Sequence, residues 1–335
     1  MWLRRWIFVQ HYGKDEGVHN MKLPEKAKER TLYFIGVTTG QSSIMQVYPI
    51  WAKEVLELGD TVIKGIDLKI HASKEEYRNV VEFIKNDPLS IGALITTHKI
   101  DLYNAAKDMF EYLDPYAKMF GELSSISKKD GRLEGYAKDP ISSGLTMDSF
   151  IPKNFWLDQG GELFIMGAGG SAIAICSYLL NPSNGVIIPS KVIIANRSLP
   201  RLNEMERLLN EINPEVAAEY YLTPEPEDSD KILRQVKPNS LIINATGLGK
   251  DRPGSPLTDN CIYPNNCLVW ELNYRGELTF MKQAHTQEVE KNLQIEDGWT
   301  YFIHGWTQVI AEVFHIDITG EVFDACEKIA RELKK

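Results

Sequence analysis

Strand and helix signals alternate along both halves of the 335-residue chain, which predicts an α/β fold with mostly parallel sheets. Two further observations narrow this. A glycine-rich turn, Gly167-Ala168-Gly169-Gly170-Ser171-Ala172, stands between a strand signal and a helix signal. The length suits two domains better than one.

The elements can be argued in order. Residues 32–37 (LYFIGV) form an apolar run suited to a buried strand and end in the turn-rich stretch TTGQSS. A helical pattern covers 47–58, and 61–68 reads as a second strand. Ser73 and Glu76 fit a capping box, behind which Tyr77, Val80, Val81 and Ile84 share one helix face. Residues 90–95 (SIGALI) read as a third strand running into Thr96-Thr97-His98-Lys99. Pro152 and polar residues interrupt the pattern near 146–155, which predicts a junction there. The alternation restarts with strands at 162–166 and 191–195. A helix follows, started by Ser198 and Pro200, with Leu202, Met205, Leu208, Leu209 and Ile212 on one face. Further strands are expected at 217–222, 240–244 and 267–271, a loop at 251–266, and helices at about 298–314 and 320–333. In such sheets ligands sit beyond the carboxyl ends of the strands.

Composition excludes several classes. The chain is 43% hydrophobic and 25% charged, ordinary for a globular protein, and carries a formal net charge of −9. An acidic balance with pI about 5.4 argues against general affinity for nucleic acid or anionic membranes. Cys176, Cys261, Cys267 and Cys326 form no CxxC pair, so no metal site is expected and a reducing cytoplasm is the expected location. The apolar run Trp6–Val9 is too short for a membrane span or a signal peptide core. Residues 1–20 read as an over-long start or a tethered arm with no catalytic role.

The glycine-rich turn is the strongest local signal. Gly167 allows a tight turn, Gly169 lets a pyrophosphate approach the backbone, and Gly170 and Ala172 keep helix and strand close. The amides at the helix start, Ala168 and Ser171 among the residues offering them, suit phosphate oxygens. The next strand ends Asn196-Arg197-Ser198-Leu199-Pro200-Arg201, with no acid to hold a ribose 2′-hydroxyl. Arg197 and Arg201 suit a 2′-phosphate instead, which predicts NADP rather than NAD. Asn244-Ala245-Thr246-Gly247, after another strand, reads as a second cofactor-facing loop.

Taken in order, GAGGSA, NRSLPR, INATGLG at 243–249 and WELNYRGELT at 270–279 resemble the segments of the shikimate/quinate dehydrogenase family. The resemblance spans roughly residues 32–333. It implies two α/β domains: an N-terminal substrate domain with a mixed or parallel sheet and a Rossmann NADP domain, with C-terminal helices returning to the first. The expected boundaries are 1–30 for an extension, 31–145, 146–300 and 301–335. The family's catalytic Lys and Asp fall on Lys99 and Asp139. A Lys beside a carbinol oxygen can accept its proton, or return it in the reverse reaction, while the Asp orients the ammonium.

The departures from the family pattern are as informative. The Asn-x-Thr before the Lys stands here as Leu94-Ile95-Thr96, and the Asn-Thr of the GAVNT segment as Ser124-Ser125. Ala137-Lys138 replaces another Asn-Thr, and the Ser-x-Ser-Pro motif survives as Gln41-Ser42-Ser43-Ile44. Glu271 replaces an Asp, Gly276 a Pro, and a late Gln is lost at Gly305, with Gln308 one turn on. Each lost amide costs a buried partner about 1–3 kcal/mol of binding. The reaction type is therefore expected to persist on a different small molecule, a hydroxylated ring or polyol. Ser42, Ser43, Thr96, Ser124, Tyr274 and Gln308 are the expected substrate contacts, and Lys138 is a candidate cation toward an anionic group. His98 could line the cleft, though a helix-start histidine is the plainer reading, and Trp299, Tyr301, His304 and Trp306 either line the cleft or belong to the core. Two readings compete with the dehydrogenase: a catalytically silent NADP-binding sensor and a methylenetetrahydrofolate-type dehydrogenase. A homodimer is the assembly to test.

Overall fold

The computed structural model describes residues 23–250 and 252–333. Residues 1–20, read from sequence as an over-long start or a tethered arm, lie outside them. In chain order the first half contains β1 (Thr31–Gly36), α1 (Ile44–Ile50), β2 (Val62–Asp67), α2 (Lys74–Asn86), β3 (Ser90–Ile95), α3 (Lys99–Ala106), β4 (Tyr112–Leu113), α4 (Pro115–Phe120), β5 (Ser125–Lys129), β6 (Arg132–Tyr136) and α5 (Asp139–Phe150). The second half contains α6 (Phe155–Gln159), β7 (Leu163–Met166), α7 (Gly170–Leu180), β8 (Val192–Asn196), α8 (Leu199–Ile212), β9 (Ala218–Leu222), α9 (Pro226–Leu233), β10 (Leu241–Asn244), β11 (Leu268–Glu271), α10 (Thr279–His285), α11 (Glu288–Lys291), β12 (Gln294–Glu296), α12 (Trp299–Phe314) and α13 (Gly320–Leu333).

These strands form two sheets. The first has the order β2-β1-β3-β5-β6-β4, parallel at β1 with β2 and β3, and antiparallel at β3–β5 and β5–β6. The second has the order β12-β11-β10-β7-β8-β9 and is parallel throughout. That order reverses direction between β7 and β10, so the carboxyl ends of those two strands flank a crevice of the kind where nucleotides bind in open α/β sheets.

The local reasons are visible. Ser73 accepts from the Glu76 amide and Glu76 accepts from the Ser73 amide, so the capping box starts α2. The runs LYFIG and LFIM are wholly buried, as strands covered on both faces must be. The helix expected at 47–58 begins earlier, at Ile44, and continues past Pro49 as a π-helical turn at Trp51–Val55. The β5–β6 hairpin was not expected. Its signal is Asp130-Gly131, both at positive φ (50° and 76°), the pairing that a tight two-residue hairpin turn needs.

Two helices cross the expected boundaries. α5 runs through 145/146 and α12 through 300/301, because each buries apolar residues on one side of the molecule while linked to the other. The C-terminal helices pack on the first sheet: Ile303, Ile310 and Val313 of α12 and Phe323 and Cys326 of α13 share a core with Leu32, Phe34 and Trp51.

Candidate active site

Two helix starts meet at the carboxyl edge of the first sheet. Lys99 opens α3 just after β3, and Asp139 opens α5 just after β6. Lys99 Nζ donates to Asp139 Oδ2 at 2.5 Å. Both side chains keep some solvent access, 23% and 21%. Burial favours the neutral amine, but the Asp139 and Glu122 charges and the Asp139 hydrogen bond outweigh it and hold Lys99 above the usual lysine range. Tyr301 of α12 joins the group. Burial and the Asp139 charge push its phenol up to about 12, and Ser143 and Ser171 lie against it.

The pair lines a cleft of about 720 Å³ between the two sheets. Ser42, Ser43, Thr96, Ser124 and Tyr274 line it from one side, and Ser171, Ala245, Thr246 and Gly247 from the other. Ser124 is already engaged: its Oγ donates to the Tyr136 carbonyl (3.2 Å) and accepts from the Lys138 amide (2.7 Å).

Several expectations need correction. Gln308 sits on a buried face of α12 outside the cleft lining, and Gly305, Trp306 and Val309 occupy that wall. Lys138 turns away to Glu312, Nζ to Oε2 at 2.8 Å, so it offers no cation to a ligand. His98 is buried with its Nδ1 at Tyr77 Oη (2.9 Å), and burial pulls its pKa below the usual histidine value. Of the late aromatic group, Tyr301 and Trp306 reach the cleft, while Trp299 and His304 belong to the buried side of α12.

The glycine-rich turn keeps most of its expected geometry. Gly167 has φ +117°, and a Cβ there would lie 2.6 Å from the Ala245 carbonyl oxygen, so glycine lets the two loops touch. Ala168 is buried against the core, and Gly169 caps α7 with open space where a Cβ would stand. Gly170 differs from expectation: its missing side chain faces Glu122 Oε2 at 3.8 Å, not the strand. Asn196 Nδ2 donates to the Ser198 carbonyl and shapes the turn into α8, where Ser198 is the N-cap residue without a side-chain cap. Arg197 and Arg201 are exposed and, among the described residues, make no ion pair or hydrogen bond, whereas the nearby Arg207 pairs with Glu204 and Glu211.

Comparisons now bear on this geometry. No family model matches the chain. Shikimate dehydrogenase (NADP(+)) of Streptococcus thermophilus is 27% identical over 180 residues, 53% of this chain and 58% of that protein. The corresponding protein of Lactococcus lactis is 23% identical over 187 residues, 56% and 60% of the two chains. The match thus spans less than two thirds of these relatives. In solved structures, shikimate dehydrogenase of Aquifex aeolicus superposes with a TM-score of 0.67 at 18% identity, covering 92% of this chain and 99% of that one. Quinate dehydrogenase of Corynebacterium glutamicum in complex with NAD gives 0.67 at 18% identity, covering 91% and 99%. The chain is thus similar in sequence over about half its length to shikimate dehydrogenases, and it shares the fold of shikimate and quinate dehydrogenases over nearly all of it.

Two departures from the family pattern now have physical reasons. Gly276 stands at φ +96°, and a Cβ there would lie 2.3 Å from the Gly249 carbonyl oxygen. A proline, held near φ −65°, does not fit that conformation. Glu271, the longer acid, is fully buried and ties the second loop: its Oε2 accepts from Asn244 Nδ2 and its Oε1 from the Asn273 amide, each at 2.8 Å. Burial pushes its carboxyl up to about 7. Asn244 Oδ1 in turn accepts from the Thr246 amide and hydroxyl. Asn244 is therefore spent on holding the loop, and its neighbours Ala245, Thr246 and Gly247 face the cleft.

Some cleft residues were missed from sequence. Lys250 and Arg275 both line the cleft near Tyr274, their charged groups 5.4 and 6.0 Å from its ring centroid. Their signal was available, since Arg275 lies within the 270–279 segment and Lys250 directly follows the 243–249 segment. Glu122 was missed as well. It is 8% exposed and carries no hydrogen bond among the described residues.

Proposed function

We propose that the protein is an NADP-dependent oxidoreductase that interconverts a carbinol and a carbonyl on a hydroxylated ring or polyol other than shikimate. The observation carrying this reading is that Lys99 and Asp139 share one cleft with Ser171 and the 245–247 loop tip. Curated relatives bear the name shikimate dehydrogenase (NADP(+)), which supports the reaction class. In this reading residues 31–145 with the C-terminal helices form the substrate side, and 146–300 the dinucleotide side. The four cysteines are all buried and unpaired, which suits a reducing cytoplasm.

The residues present fit the dinucleotide. The open face at Gly169 and the start of α7 suit a diphosphate, and Arg197 and Arg201 have guanidinium groups to spare for a 2′-phosphate. The nicotinamide would supply the hydride acceptor or donor. Lys99 holds the proton to be delivered to the carbonyl oxygen in reduction, and takes it from the hydroxyl in oxidation. Asp139 keeps the ammonium in place. Ser42, Ser43 and Thr96 offer short hydroxyls to a polar substrate, and Tyr274 with Lys250 and Arg275 offers a rim suited to an anionic group.

The test begins with NADPH and NADH titrations followed by tryptophan fluorescence. A marked NADPH preference is expected, followed by reduction of NADP⁺ by some member of a panel of cyclitols and polyols that includes shikimate and quinate. Binding of neither dinucleotide would overturn the reading. Tight NADPH binding with no turnover across the panel would move the protein to the sensor class.

A further inference from the structure

Glu122 stands where the protein has least reason to keep an acid. The turn Gly121–Ser124 joins α4 to β5, and the Leu123 amide donates to the Lys99 carbonyl at 3.1 Å, which fixes this turn to the start of α3. Glu122 is thereby held on the same patch as Lys99 while its carboxylate oxygen faces Gly170 at the start of α7. It is not among the residues lining the cleft. A buried carboxyl without a hydrogen-bond partner is costly, and such groups gather at functional sites.

We infer that Glu122 is a positioning residue for the proton-carrying group: the charge on its carboxyl sets how tightly the Lys99 ammonium holds its proton. This deepens the oxidoreductase reading and rests on it. The groups that act on Glu122 are Lys99 from α3 and Asp139 from α5, and Tyr301 of α12 faces the same pair, while α7 contributes only uncharged Gly170 and Ser171. Burial drives the Glu122 carboxyl up, the Lys99 charge draws it partly back, and Asp139 adds to the rise, leaving it at about 7. Asp139 holds the ammonium directly, through the Nζ to Oδ2 hydrogen bond. Glu122 changes charge in the neutral range, so it is the adjustable member. Ionised, it strengthens the hold on the proton and favours Lys99 as an acid. Protonated, it loosens that hold and favours Lys99 as a base. No proton needs to pass between the two groups for this coupling.

The test uses the full chain and needs no substrate. Trace labelling with acetic anhydride across a pH series, read by mass spectrometry of the Lys99 peptide, reports the free-amine fraction of Lys99. In Glu122→Gln the midpoint should fall by about one pH unit, which is about tenfold more labelling at a fixed pH. Glu122→Asp, which keeps the charge, should stay close to wild type. A folded Glu122→Gln protein with an unchanged midpoint would overturn the inference. Should that variant fail to fold, carboxyl ¹³C titration of glutamate-labelled wild type decides: a near-neutral midpoint that moves in Lys99→Met supports the coupling, and its absence overturns it. A failed substrate screen would remove the oxidoreductase reading and leave the labelling result standing, whereas normal turnover with unchanged labelling would remove the coupling alone.

Discussion

The two sides of the cleft have diverged in different ways. On the second-sheet side, the backbone features that shape a dinucleotide site are intact: Gly167 at φ +117°, the open cap at Gly169 and the Asn244–Glu271 tie beneath the 245–247 loop. On the first-sheet side the Lys99–Asp139 pair persists, but the side chains around it are short hydroxyls and a buried acid. A dinucleotide is held largely through backbone amides and the space that glycine leaves, and these tolerate little change. A substrate is held by side chains, which can be exchanged one at a time while the reacting pair stays. In the proposed reading, the contrast separates a reaction type that is kept from a recognition surface that has moved.

Four substitutions test that contrast. The largest effect is expected at Lys99→Ala: turnover falls by about 10²–10⁴-fold while NADPH affinity holds. An equal loss in both would place Lys99 in binding and not in proton transfer. Next is Gly167→Ala, where a Cβ would meet the Ala245 carbonyl at 2.6 Å in a backbone conformation unsuited to alanine. A loss of about 3 kcal/mol in urea unfolding, together with weaker NADPH binding, is expected. Wild-type stability would show that the two loops are free to part. Third, Arg197→Ala and Arg201→Ala should each weaken NADPH binding by about tenfold and leave NADH binding unchanged. Equal losses for both dinucleotides would mean that neither arginine reads the 2′-phosphate.

A last substitution, read in stability against pH and not in binding, concerns Glu271. Its folded-state pKa, about 7, lies above the ordinary 4.5, so the folded protein binds the proton more tightly than the unfolded chain. Its contribution is therefore full at low pH and is lost as pH rises from about 4.5 to 7. Glu271→Gln cannot lose that contribution, so the stability cost of the variant should shrink by about 2 kcal/mol between pH 5 and pH 8. A pH-independent cost in urea melts would show that Glu271 is ionised in the fold throughout.

The same division governs what could be read from sequence. The glycine-rich turn, the capping box at Ser73 and the buried runs LYFIG and LFIM were legible because each is decided by neighbours along the chain. The Lys99–Asp139 pair was legible only as two motifs in order, since 40 residues separate them. Lys138 was misread because its partner, Glu312, is 174 residues away. Gln308 was expected at the cleft from its offset to Gly305, but three residues turn a helix by only about 300°, which puts Gln308 on a different face from Gly305 and Val309. Glu122 gave no signal of its own: only the fold sets it beside Lys99 and Gly170. The β5–β6 hairpin had a signal, Asp130-Gly131, hidden among charged residues that look like an exposed loop.

The packing of the last two helices on the first sheet also dictates a schedule. Trp51 Nε1 donates to the Cys326 carbonyl at 2.8 Å, and the core around it draws on residues from both ends of the described chain. As the chain leaves a ribosome, the face of the first sheet that packs on α2 and α3 can close early, but its other face waits for α12 and α13, while the core built on β7, β8, β10 and β11 has every strand in hand before α12 appears. The second core can therefore close before the last face of the first sheet is covered. A chain stopped at residue 298 should show this under limited proteolysis, with the segment from about 150 onward resistant and the segment before it cut faster. Equal protection of both segments would show that the first sheet closes its core without waiting.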